Sequence, residues 1–137
     1  MNEMNVENNK ILYKDENYAI RGALFEVHNN LGPGFAEDVY QLALETELKI
    51  RDIPFEAQKE YEISYKGIVL NKTFRTDIIC YGKIILELKS VKNILPEHMA
   101  QILNYLRISD LKMGMLVNFN SYPELEIIPY ANFRTRS

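Results

Sequence analysis

At 137 residues, 47% of them hydrophobic and 26% charged, the chain has the makeup of one globular domain with enough apolar material for a real core. A single cysteine, Cys80, excludes an internal disulfide, and no CxxC or Cys/His cluster offers a zinc site. No apolar run reaches transmembrane length, and the acidic, polar start MNEMNVENNK lacks the order of a signal peptide, so no membrane contact and a cytoplasmic location are expected. The net charge of −3 gives no global case for nucleic-acid binding, yet it is uneven: −6 over residues 1–48, +3 over 49–92 and zero over 93–137. The basic middle segment, through Lys59, Lys66, Lys72, Arg75, Lys83, Lys89 and Lys92, is a modest electrostatic footprint; solubilising charges on exposed strands would produce the same pattern.

Residues 1–14 show no periodicity and are expected to form a mobile or loosely docked tail. A single domain is expected over 15–130, followed by a basic tail over 131–137 with Arg134 and Arg136. Ile20, Ala23, Leu24, Val27 and Leu31 recur at helical spacing, which predicts a helix from about Asp15 to Leu31, capped by Asp15 or Asn17 and stopped by Gly32-Pro33-Gly34. A second helix is expected from Phe35 to Arg51 on the apolar face Ala36, Val39, Tyr40, Ala43, Leu44 and Leu48. Glu37 and Tyr40, three apart, share a face there. Taken alone, Glu37 is a first-turn acid favoured by the helix dipole, Tyr40 a core aromatic, and His28 a surface or packing residue rather than a ligand.

Strands follow. Glu60–Tyr65 alternates, Lys66-Gly67 is a turn, and Ile68 to Cys80 reads as one long strand with a polar interruption at Asn71-Lys72. Pro96 opens a helix to about Ser109, with Gln101 and Tyr105 four apart on one face. The apolar run Met115–Phe119 is then expected to pair in parallel with Ile84–Lys89, and Leu125–Tyr130 to form an edge strand. The order implies an α/β sandwich around a mixed sheet.

The hairpin Thr76–Lys89, TDIICYGKIILELK, carries Asp77, Glu87 and Lys89 within apolar surroundings. Buried charges cost several kcal/mol unless paired or metal-bound, whereas on a solvated face the same three would be an ordinary ion group. Loop parity decides which residues share a face. A two-residue loop, Tyr81-Gly82, separates Asp77 from Glu87. A three-residue loop, Cys80-Tyr81-Gly82, pairs Ile79 with Lys83 and Asp77 with Ile85, so that Asp77, Glu87 and Lys89 point one way and Phe74, Ile78, Ile84, Leu86 and Leu88 the other. The apolar sorting favours the second. Glu37, Asp77 and Glu87, with the backbone carbonyl of Leu88, would then suit a hard cation, Mg²⁺ or Mn²⁺, with Lys89 beside it for phosphodiester chemistry.

Asp77 followed by Glu87-Leu88-Lys89 on adjoining strands, then a helix and a strand, resembles the core of the PD-(D/E)XK nuclease superfamily. Gly34–Tyr40 matches G-x-x-E-x-x-Y, and LGPGFAEDVY followed by QLALETEL resembles the prokaryotic GxxExxY family within it. Gln101–Tyr105 resembles the Q-x-x-x-Y motif of RecB-type exonuclease domains. The resemblance implies a restriction-endonuclease-like sandwich, with Glu37, Asp77 and Glu87 as metal ligands and Lys89 as the catalytic lysine. Tyr40, Gln101 and Tyr105 are implied to support the site or contact substrate. It further implies hydrolysis of DNA, ahead of RNA, by a metal-activated water, and it is compatible with a homodimer. The other reading is a catalytically silent subunit that keeps this fold within a prokaryotic nucleic-acid-processing system. Thr76 stands where the superfamily's name has proline.

Overall fold

The first helix is held by a strict apolar stripe. Ile20, Ala23 and Leu24 are wholly buried and Val27 nearly so, and α1 spans Lys14–Leu31 in the computed structural model, which describes residues 12–132. The expected side-chain cap is absent. Asn17 instead turns back to donate to the carbonyls of Leu12 and Tyr13, 2.7 and 3.1 Å away. Residues 1–11 and 133–137, which include most of both tails with Arg134 and Arg136, lie outside the described residues.

Gly32 ends α1 at φ 69°, its N–H on the His28 carbonyl. Gly34, at φ 105°, lets the chain reverse into α2, Glu37–Ile50, whose buried residues are Tyr40, Gln41, Leu44 and Leu48. Five strands form the main sheet: β1 (Phe55–Ala57), β4 (Ile78–Cys80), β5 (Ile84–Lys89), β6 (Met113–Asn118) and β7 (Glu126–Ala131), side by side in the order β1-β4-β5-β6-β7. β5 and β6 are parallel, joined through helix α3 (Pro96–Ser109); the other pairs are antiparallel. The parallel pairing is as the sequence predicts.

Helices cover both faces. Against α1 and α2 lie Ile78, Ile84, Leu86, Leu88, Met115 and Val117; on the opposite face Ile79 and Ile85 pack with Leu106 of α3. Gly114 permits that second contact, since a Cβ there would sit 2.9 Å from Ile102 Cδ1 and 3.3 Å from the Ile85 carbonyl. Among the described residues, no helix is long and apolar enough to cross a membrane.

The long strand expected over Ile68–Cys80 is two strands in two sheets. β2 (Glu60–Tyr65) and β3 (Ile68–Arg75) form a separate two-stranded arm, and β3 gives way to β4 at Thr76-Asp77. The pairing nevertheless runs through the bend: Thr76 N–H donates to the Lys59 carbonyl and Gln58 N–H to the Asp77 carbonyl, each at 3.0 Å. Gln58, at φ 59°, is the kink opposite. A proline at 76 would lack the N–H that makes the first of these bonds, which accounts locally for threonine there. β1, only three residues long, has too little alternation to be read from sequence.

Candidate functional site

The acid-bearing hairpin closes through a three-residue loop, but over Tyr81-Gly82-Lys83 rather than Cys80-Tyr81-Gly82. Cys80 pairs with Ile84, Ile79 with Ile85 and Ile78 with Leu86. The register is two residues from the expected one, so the parity, and with it the shared face, is preserved. Tyr81 and Gly82 both adopt left-handed backbone, at φ 57° and 66°, which places the turn one residue later. Phe74, expected among the inward apolar residues, belongs to the arm instead and stacks on Tyr105.

The shift brings Asp77 level with Glu87, and the two carboxylates interlock. Asp77 Oδ2 accepts the Leu88 N–H at 2.7 Å, and Glu87 Oε1 accepts the Asp77 N–H at 3.1 Å. Each acid thereby fixes the other's strand while its second oxygen is left for another partner. Glu87 is 5% exposed. Burial first, then the neighbouring Asp77 carboxylate, pushes its carboxyl up to about 8; burial also raises Asp77, with Glu37 adding to both. The nearby Lys89 ammonium and the backbone N–H bonds work in the opposite direction on both acids.

A raised carboxyl pKa means that the folded state holds a proton the unfolded chain has released. Between 4.5 and about 8 stability therefore falls as pH rises. Melting in EDTA should show the midpoint dropping from about pH 5 to about pH 8.5, for a loss on the order of a few kcal/mol, with Glu87→Gln flattening the slope. A wild-type midpoint that stays level or climbs over that range would contradict the burial argument.

Lys89 points along the same face, half-buried, with Nζ 3.4 Å from Gln101 Oε1. Gln101 Nε2 in turn donates to the Tyr105 hydroxyl at 2.8 Å, so the two α3 residues form a relay that ends on the lysine. Burial and the charge of Glu87 keep that phenol protonated. Glu37, at the start of α2, approaches from the other side of the sheet's end, where its Oε2 accepts the Ser90 N–H at 3.3 Å. Tyr40 does not face the site. It is wholly buried, stacked on Phe119 with centroids 4.5 Å apart, and its hydroxyl donates to the Gly32 carbonyl and accepts the Phe35 N–H. Its position is under the Gly32–Phe35 turn, in the core between that turn and Phe119. Leu88 buries its side chain and offers only its backbone.

Three further residues brace the site. Gln41, one turn after Glu37, donates to the Asp77 carbonyl at 3.0 Å. Ser90 Oγ bonds the Phe35 carbonyl at 2.6 Å, tying the loop before α2 to the end of β5. Asn118, buried at the end of β6, accepts the Val91 N–H and donates to its carbonyl, clamping the segment after Lys89. A polar residue closing an apolar strand was the one signal for Asn118; Gln41 and Ser90 carried none beyond adjacency to the motifs.

Among the described residues, no three His, Cys, Asp or Glu side chains gather closely enough to hold a metal ion by themselves. The donors that do meet are carboxylate oxygens, with the third acid close enough for its charge to act on both. Two carboxylates completed by water suit Mg²⁺ or Mn²⁺, and soft metals are poorly served. Cys80, wholly buried and pushed up to about 12, is chemically inert.

The solved structure titled "Crystal structure of SSO0001" aligns with a TM-score of 0.54 and 27% identity, over 69% of this chain and 48% of that one; the chain thus spans about half of that protein's length. Among the curated proteins, none matches. A family model for the PD-(D/E)XK nuclease superfamily matches residues 14–129, from the first turn of α1 into β7. With the paired acids, the following lysine and the β5-α3-β6 crossover in that span, the chain belongs to the PD-(D/E)XK nuclease superfamily.

Proposed function

We propose that this chain is a divalent-metal-dependent nuclease that hydrolyses phosphodiester bonds, in DNA ahead of RNA, and that its Gly34–Tyr40 motif places it in the GxxExxY branch of the superfamily. The observation that carries the reading is the interlocked Asp77–Glu87 pair with Lys89 on the same face. Asp77 and Glu87, with Glu37 and the Leu88 carbonyl, would hold Mg²⁺ or Mn²⁺. A bound cation of this kind supplies Lewis acidity and lowers the pKa of water.

The chain's own residues do the rest. Glu87 would release its proton to solvent on holding a cation, and the Asp77 and Leu88 N–H bonds fix one oxygen of each acid in place. Lys89, steadied by Gln101, faces the scissile phosphate, orients the attacking water and offsets charge growing on a non-bridging oxygen. A P–O bond from water forms as an ester P–O bond breaks, leaving one phosphomonoester and one hydroxyl end.

Plasmid nicking by purified protein in Mg²⁺ and in Mn²⁺, against an EDTA control, tests this. Conversion of supercoiled to relaxed or linear DNA only with metal is expected. Calorimetric titration with Mn²⁺ separates the silent-subunit reading: binding lost in both Asp77→Ala and Glu87→Ala supports the metal site, and no binding at millimolar metal favours the subunit.

A further inference from the structure

The β2–β3 arm stands outside the main sheet, and the nuclease reading gives it no task. Its anchor is an aromatic stack: Tyr61 on Phe74 at 5.1 Å between centroids, and Phe74 on Tyr105 of α3 at 4.3 Å. Through the Tyr105 hydroxyl and Gln101 this stack connects to Lys89. Outward, the arm closes with a two-residue turn, Lys66-Gly67, both at positive φ, between paired Tyr65 and Ile68. Tyr65 lies four residues beyond Tyr61 on β2, and the pairing with β3 shifts register between Glu62 and Ser64, which adds twist between the two rings.

Composition along the arm changes with distance from the site. From Ile63 to Arg75 there are three basic residues, Lys66, Lys72 and Arg75, and no acid, in a chain whose net charge is −3. Tyr65 is 61% exposed, and Lys66 Nζ sits 5.5 Å from its ring centroid, while Lys59 stands over Tyr61 at 5.3 Å. Arg75 is paired with Glu60, but among the described residues Lys66 and Lys72 have no acidic partner. An exposed ring, Tyr65, next to Lys66 and on the same arm as Lys72, suits unpaired bases, which stack, joined by phosphates, which pair with ammonium groups. A duplex hides its bases and would use only the lysines.

Resting on the nuclease reading for the site at its root, we propose that the arm is a single-strand grip: bases stack on Tyr65 at the tip, phosphates meet Lys66 and Lys72, and the strand is led along the Tyr61–Phe74–Tyr105 stack to Asp77, Glu87 and Lys89. The occupant is a polyanion with accessible base faces, continuous with the site.

The test is fluorescence anisotropy of the full chain in EDTA with a labelled oligothymidylate of ~20 nucleotides and with a duplex of equal length. The single strand should bind tighter. Tyr65→Ala should weaken it about tenfold, Tyr65→Phe should hardly change it, and a Lys66→Ala/Lys72→Ala variant should lower the slope of log affinity against log salt by about 1.4. Tyr65 is exposed, so unchanged melting is expected and excludes a folding artefact.

Hydrolysis of bis(p-nitrophenyl) phosphate, too small to reach the arm, runs in parallel. Loss of single-strand binding in the arm variants supports the grip whether or not the small ester is hydrolysed, and failure of hydrolysis in wild type counts against the nuclease reading alone. Equal affinity of wild type, Tyr65→Ala and the lysine variant overturns the grip. So does a wild-type dimer by sedimentation that Tyr65→Ala makes monomeric without changing oligonucleotide binding.

Discussion

Lys89→Ala is expected to lower metal-dependent DNA cleavage by about 10²–10⁴-fold, the range for a positioned proton-transfer or charge-stabilising group, while the protein still folds. The side chain is half-buried and held by one long contact to Gln101, so its removal leaves no large cavity. Glu87→Gln should lose activity to a similar degree for a different reason, since a neutral amide cannot replace an anionic ligand. The two variants part company in metal-free stability. Lys89 favours ionisation of both acids, so losing it lifts their pKa values further and steepens the decline toward alkaline pH. Glu87→Gln removes the proton-linked group itself and should be more stable than wild type near pH 8. Plasmid cleavage with matched melts at two pH values reads both effects. Cleavage by Lys89→Ala at the wild-type rate would end the nuclease assignment of this site.

Tyr40→Ala should be the most damaging single change outside the acids, at about 3–5 kcal/mol, or a midpoint lowered by on the order of 10–20 °C. Its ring fills the space between α2 and Phe119, meets Phe35 edge-on at 6.0 Å and closes the Gly32–Phe35 turn through its hydroxyl. Tyr40→Phe keeps the packing and strands the Phe35 N–H and Gly32 carbonyl, for about 1–2 kcal/mol. Because that turn delivers Glu37 to the site and is tied to β5 by Ser90, the phenylalanine variant should also bind Mn²⁺ more weakly, although Tyr40 touches no ligand. A melt of Tyr40→Ala within two or so degrees of wild type would contradict this placement of the ring.

Local pattern carried a large part of the architecture. The 3.6-residue stripes of α1, α2 and α3 and the apolar runs of β5 and β6 come from short-range periodicity, and a helix between two apolar strands leads to parallel pairing. The shared face of Asp77, Glu87 and Lys89 followed from loop parity once the apolar sorting had chosen the odd loop, because adding one residue to a hairpin loop exchanges the faces of a strand while a shift by two restores them. That is why the site could be gathered with the register two residues off. The arm was harder. Alternation continues without a break from β3 into β4, and only the hydrogen bonds across Gln58 and Lys59 show where the ladder bends and one sheet becomes two.

By itself, then, the sequence determined which residues have chemistry, which secondary elements carry them and which face of the hairpin they share, since these depend on spacing along one chain. The tertiary structure decided what each touches: Asp77 level with Glu87 and raising its pKa, Gln101 between Lys89 and Tyr105, Gln41, Ser90 and Asn118 bracing from three other elements, and Tyr61 and Phe74 joining the arm to α3. Each of these is a meeting of residues distant in sequence. Such a meeting depends on how helices and strands dock, and no local period encodes it.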